Sequence, residues 1–226
     1  MLHLVFVETA LETVPPGILG HPSVRRNAKR RKKRPEETLL NRSLHHRAMG
    51  RIPEDHRRGR PDIVNICLLE ALGTPLNREG GLRTWIHTYG GYAVEIAPET
   101  RLPRDCNRFN SLMEQLFADG RVPPGSEDAL MTLTPSTLGE LVEGIEATHT
   151  VALTSHGRPS DLETLCGRLS TEKKPTVFVG AFPHGPLKEE TLSLADEVVC
   201  IHPEALEAWV VTSRLIYEFE KALQRR

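Results

Sequence analysis

The second half of the chain alternates apolar, β-branched runs with amphipathic ones, and that rhythm narrows the fold more than any other feature. ALMTLTP (129–135), HTVALTS (149–155), PTVFVGAF (175–182) and DEVVCIH (196–202) read as strands. STLGELVEGI (136–145), DLETLCGRLS (161–170, capped by Ser160) and ALEAWVVTSRLIYEFEKAL (205–223) read as helices. Strand–helix alternation of this kind argues a mostly parallel sheet covered by helices. LHLVFVE (2–8) adds a buried strand, and LRTWIHTY (82–89) with YAVEIAP (92–98) adds two more around the turn signal Gly90-Gly91. DIVNICLLEALGT (62–74) and NRFNSLMEQLFADG (107–120) carry helical spacing. Pro103 is expected in the first turn of the second of these, which would set Arg104 and Arg108 on one helical face. The reading is an α/β fold: one domain over residues 1–226, with a basic, partly irregular insertion at 21–60 holding a short helix near 39–49.

Charge is where composition matters. The net charge is −1, yet residues 21–60 hold 14 Lys and Arg against 4 Asp and Glu, a local balance of +10 against −11 elsewhere. Within that segment RRNAKRRKKRP (25–35) packs eight cations into ten positions. It reads either as a solvated loop or as a surface for a phosphate backbone. A second cationic stretch, RLPRDCNRF (101–109), sets Arg101, Arg104 and Arg108 three and four residues apart beside a helix start, the geometry of a phosphate clamp. Aromatic content of 5% argues against a base-stacking platform. Four cysteines without a CxxC pair point to reduced thiols, not to a zinc site or a disulfide framework. No run of eighteen apolar residues marks a membrane span, and Glu8 and Glu12 make the first residues a poor signal peptide.

The chemistry-bearing stretches are short. There is no GxGxxG and no P-loop lysine. GAFPHGP (180–186), SHGRP (155–159) and CIHPEAL (200–206) each follow a strand, so three loops at one edge of a parallel sheet are expected to form a pocket. GRPDIV (59–64) places Arg60 and Asp62 at a helix entry, either as a surface cation beside an N-cap or as a phosphate anchor beside a proton or hydrogen-bond acceptor. His45 and His46 are neighbours without a Cys or carboxylate at ligand spacing, so no metal site is expected. Ser155 and His156 are adjacent, not convergent, which sets hydrolase chemistry aside.

From end to end, segments such as LVFVETALETVP, RPDIV, TPLNREGGL, RLPRDCNRFNSLMEQL, GAFPHG and ALEAWVVTSRLIYEFE resemble the ribosome-biogenesis methyltransferases called nucleolar essential protein in eukaryotes, with archaeal counterparts. The resemblance implies a SPOUT-class fold with a C-terminal trefoil knot, a homodimer, and S-adenosylmethionine as cofactor. It implies methylation of N1 of a pseudouridine in a small-subunit ribosomal RNA hairpin, and a role in small-subunit assembly among ribosomal proteins. By motif, Arg60, Arg101, Arg104 and Arg108 match RNA-contacting arginines, and Asp62 an aspartate beside the target base. Leu153, Thr154, Gly157, Gly180, Gly185, Cys200, Ile201 and Leu206 fall on the cofactor loops. SHG and CIHPEAL depart from the acidic and serine-rich forms common among relatives. The alternatives are a non-enzymatic RNA-binding assembly factor, or a SPOUT enzyme with another RNA target. The short form implies an archaeal-type protein of the cytoplasm, nucleolar only in a eukaryotic host.

Overall fold

The computed structural model describes residues 1–225. The chain opens with β1 (Leu2–Thr9), then α1 (Pro22–Arg30), α2 (Arg42–Met49), α3 (Pro61–Gly73) and the single turn α4 (Pro75–Arg78). A meander follows: β2 (Leu82–Thr88), β3 (Tyr92–Ile96), α5 (Cys106–Asp119), the short β4 (Arg121–Val122) and β5 (Met131–Pro135). The last part alternates α6 (Leu138–Ile145), β6 (His149–Pro159), α7 (Leu162–Leu169), β7 (Pro175–Gly180), α8 (Glu189–Leu192), β8 (Glu197–Cys200) and α9 (Ala208–Gln224).

All eight strands join one sheet in the order β4-β5-β3-β2-β1-β7-β6-β8. The pairings β2–β1, β1–β7, β7–β6 and β6–β8 are parallel, while β3, β5 and β4 pair antiparallel at the far edge. The parallel sheet expected from the alternation is therefore present, extended by the hairpin at Gly90-Gly91. Gly91 takes φ +77° there, a conformation that glycine adopts without a Cβ clash. β1 is buried along its whole length because both faces are covered. Leu2, Leu4 and Phe6 enter the core under α3, α5, α7 and α9, and Val5 and Val7 enter the core under α6. Fully buried aromatic and aliphatic side chains of this size each contribute about 1.5–3 kcal/mol.

Several local expectations need correction. The basic run is not irregular throughout: residues 22–30 form α1, capped by His21, whose ring accepts from the Ser23 N–H. Val24, Asn27 and Ala28 lie three and four apart, so one face of α1 packs on α2, where Val24 clusters with Ala48 and Met49 and with Leu40 just before the helix. Pro103 lies before α5, whose N-cap is Asp105; the Asp105 carboxylate accepts from the Arg108 N–H at 3.0 Å. Arg104 is consequently not helical and shares no helical face with Arg108. Asp161, not Ser160, caps α7, because its carboxylate accepts from the Thr164 N–H at 2.7 Å. SHGRP does not turn away after β6 but bulges and re-enters the ladder.

Candidate functional site

The parallel strands β6, β7 and β8 end at one edge, and the chain segments beyond them converge there. β6 pairs Leu153 with Val199, and then pairs Arg158 with the same Val199. Thr154 to Gly157 are thereby looped out of the ladder. Gly157 brings the strand back: a Cβ on it would lie 2.5 Å from the Val199 carbonyl carbon, a backbone clash with no way to yield. β7 ends at Gly180, where a Cβ would come within 2.8 Å of the Phe182 ring, so the loop folds tightly back over the strand end. Beyond β8 the Cys200 thiol donates to the His202 carbonyl at 3.1 Å, and α9 begins after Leu206.

Between these segments lies a cleft of about 270 Å³. Its floor is apolar, built from Leu153, Val179, Leu187 and Val211, all nearly buried. Its rim is polar, with Thr154, His156, His184, His202 and Glu204. Of the residues expected on cofactor loops, Leu153, Thr154, Gly180, Gly185, Ile201 and Leu206 line the cleft. Gly157 and Cys200 do not line it; they shape the bulge and the third loop from behind. Leu187, Ala208 and Val211 line it without having been singled out. Their sequence signal was only an apolar residue at a loop end or on a helix face, which any core position shares.

Arg60 and Asp62 stand at the entry of α3. Arg60 is the N-cap, Pro61 fills the first turn, and Asp62 follows. The pair is bidentate: Arg60 Nε donates to Asp62 Oδ1 at 2.8 Å and Nη2 to Oδ2 at 2.7 Å. The Arg60 guanidinium is held above its ordinary pKa chiefly by those hydrogen bonds, with Glu207 adding to them. Glu207 stands just before α9, next to the cleft-lining Leu206 and Ala208, and α3 packs along α9. On the other side, burial raises the Cys106 thiol, and the carboxylates of Asp62 and Asp105 raise it further. Asp62 is thus within electrostatic reach of the start of α5.

The arginine stretch runs up to that point. Thr100 is buried and bonds the Leu130 carbonyl at 3.0 Å, Leu102 packs on the main core, and Phe109 is fully buried. These anchors leave Arg101, Arg104 and Arg108 exposed between them. Among the described residues none of the three has a carboxylate within ion-pair distance. His45, by contrast, is fully buried on α2, bonded to Asn27 and to the Asn41 N–H, and burial lowers its pKa to about 4.

Along nearly the whole chain the sequence matches one family: the model described as EMG1/NEP1 methyltransferase matches residues 4–220. The chain belongs to the EMG1/NEP1 methyltransferase family. Within it, the ribosomal RNA small subunit methyltransferase Nep1 of Staphylothermus marinus is 42% identical over 215 residues, spanning 95% of this chain and 93% of its own. The protein of the same name from Thermococcus kodakarensis is 43% identical over 223 residues, 99% of each chain. The crystal structure of Archaeoglobus fulgidus Nep1 bound to S-adenosylhomocysteine has a TM-score of 0.87 to this fold, at 37% identity and 98% coverage of both chains. The strand-end cleft and the arginine stretch are therefore set in the fold of an EMG1/NEP1 methyltransferase.

Proposed function

We propose that the protein transfers the methyl group of S-adenosylmethionine to N1 of a pseudouridine in a small-subunit ribosomal RNA hairpin, as a step in small-subunit assembly alongside ribosomal proteins. The observation that carries this reading is the bidentate Arg60–Asp62 pair at the entry of α3, a helix that packs both on α9, which borders the strand-end cleft, and on α5, at whose start the exposed arginines lie.

The cleft fits the cofactor on its own chemistry. Apolar walls from Leu153, Ile201 and Leu206 suit a flat purine, and Gly180 and Gly185 let the loop fold close over the strand end where a Cβ would strike Phe182 or Arg57. Once bound, S-adenosylmethionine carries a methyl already activated on a sulfonium, so the chain's residues are asked to position and not to supply a covalent nucleophile. Holding two reactants about 3–3.5 Å apart in line can supply about 7–11 kcal/mol. Arg101, Arg104 and Arg108 grip phosphates flanking the target, and the base leaves its stack because a ring atom inside it is out of reach. Asp62 faces the target ring. Both its oxygens already accept from Arg60, so its main task is to orient the ring while the N1 proton leaves to water.

The reading carries finer structural proposals. One domain spans residues 1–226, with 21–60 inserted, which the family match over 4–220 supports. A trefoil knot closes the C-terminal part. Supporting it is the order β1-β7-β6-β8, in which the chain crosses from β6 back beside β1 and then past β6 again. A homodimer is supported by apolar surface on adjacent helices, Ile66 of α3 and the 60% exposed Tyr217 of α9. The archaeal sources of the relatives support a cytoplasmic location, and no helix among the described residues is long and apolar enough to cross a membrane.

The test is methyl transfer from labelled S-adenosylmethionine to two synthetic hairpins that differ only in one loop pseudouridine or uridine. Transfer to the pseudouridine hairpin alone is expected. Transfer to both would reassign the target, and tight binding of both with no transfer would make the protein an assembly factor.

A further inference from the structure

Arg57 and Arg58 are both buried and point apart: Arg58 toward Glu12, Arg57 toward the loop that follows β7. Arg57 is 5% exposed and reaches away from solvent into that loop. Its Nη1 donates to the Pro186 carbonyl at 2.7 Å, its Nη2 pairs with the Glu8 carboxylate, and its flat face lies 3.9 Å from the centre of the Phe182 ring. Phe182, Gly185 and Pro186 all line the cleft. A Cβ on Gly185 would come within 2.7 Å of Arg57 Nη1, and Gly185 holds φ +97°, so loop and guanidinium are fitted to each other.

The anchor behind Arg57 is built with equal care. Glu8 takes φ +50° where the β1–β2 register slips between Phe6 and Thr9. A left-handed conformation at a non-glycine residue is strained and persists only where surroundings enforce it. The strain turns the Glu8 carboxylate so that one oxygen meets Arg57 and the other accepts from the Lys188 N–H at 2.8 Å. Both ends of the loop from Phe182 to Lys188 thus hang on the Glu8–Arg57 pair. Glu54, also left-handed at φ +49°, stands 3.9 Å from Arg57 Nε and bonds Lys188 Nζ at 3.0 Å and the Tyr89 hydroxyl at 2.8 Å.

We propose that Arg57 is a positioning residue for the cofactor: anchored by Glu8, it fixes the path of the Phe182–Leu187 loop and so the shape of the cleft. This rests on the proposed methyltransferase function. Arginine is required over lysine because only a planar fork donates to two oxygens while stacking on a ring. A merely structural ion pair would be satisfied by either.

The test is calorimetric binding of S-adenosylhomocysteine to the full-length protein and to Arg57→Lys and Glu8→Gln, with melting temperature and cofactor-free hairpin affinity measured for each. Arg57→Lys keeps its charge pairing with Glu8, so its melting temperature and hairpin affinity should stay close to the parent while S-adenosylhomocysteine binds about tenfold more weakly. In turnover, KM for S-adenosylmethionine should rise more than kcat falls. Glu8→Gln should weaken S-adenosylhomocysteine in the same sense. Parental affinity in either variant overturns the proposal. A parent protein that binds no S-adenosylhomocysteine overturns the methyltransferase reading itself, and this proposal with it.

Discussion

Residues 21–60 and residues 101–108 are the two arginine-rich regions of the molecule, and they use the same side chain for different ends. In the first, much of the charge is consumed internally. Arg31 and Lys33 converge on Glu114, a carboxylate on α5 that is 2% exposed and also accepts from the Leu39 N–H at 2.9 Å. Arg58 forms a buried bidentate pair with Glu12, Arg57 pairs with Glu8, and Arg42 with Asp55. The outer face of α1, with Arg25, Arg26, Lys29 and Arg30, is left solvent-facing and without an ion-pair partner among the described residues, as are Lys32, Arg47 and Arg51. In the second region every arginine is exposed and none is paired among the described residues. A local charge of +10 therefore overstates the binding charge of one region, whereas all three arginines of the other remain free to bind. Net charge measures an RNA surface only after internal pairs have been removed.

That contrast is sharpened or broken by experiment. Glu114→Ala strands two cations on a part-buried site and should cost about 3–5 kcal/mol in urea unfolding, the usual cost of breaking a buried pair from one side. A loss below about 1 kcal/mol would mean the basic segment is not held to α5 by charge. Acid comes next. His45 on α2 and His3 on β1 are buried, and burial is the main reason each has a pKa of about 4 against 6.5. Both are neutral in the fold, so the unfolded chain takes up protons first. The stability they contribute is full above pH 6.5 and lost progressively as pH falls toward 4, at most about 3 kcal/mol each. Chemical denaturation at stepped pH should show this slope, and His45→Gln should flatten it. Arg104→Ala should leave the fold intact, weaken hairpin binding and lower the salt slope by about one unit. Arg34→Ala is the smallest expected change: Arg34 pairs with Glu37 in the open, and removing it should shift unfolding only marginally.

The parallel half of the sheet was legible because β1, β6 and β7 carry runs of buried apolar residues, as strands covered on both faces do. The cleft was legible for the same reason, since strand ends fix where loops meet. What escaped was decided by partners distant in sequence. Nothing local distinguishes Arg57 or Arg31 from Arg25; their partners are Glu8 and Glu114, 49 and 83 residues away. The helix α1 was hidden by its own charge, because only Val24, Asn27 and Ala28 face inward and the remaining positions read as a solvated run. Pro103 misled because proline favours a first helical turn in general, whereas here Asp105 offers a stronger cap two residues later.

The measurement that bears most directly on the account is the salt dependence of hairpin affinity for the parent protein and for the triple variant Arg101→Gln, Arg104→Gln, Arg108→Gln. With these three proposed phosphate contacts removed, the slope of log affinity against log salt should fall by about two to three units, with the melting temperature unchanged. A slope equal to the parent's would place the RNA elsewhere on the protein and contradict the assignment of the unpaired arginines.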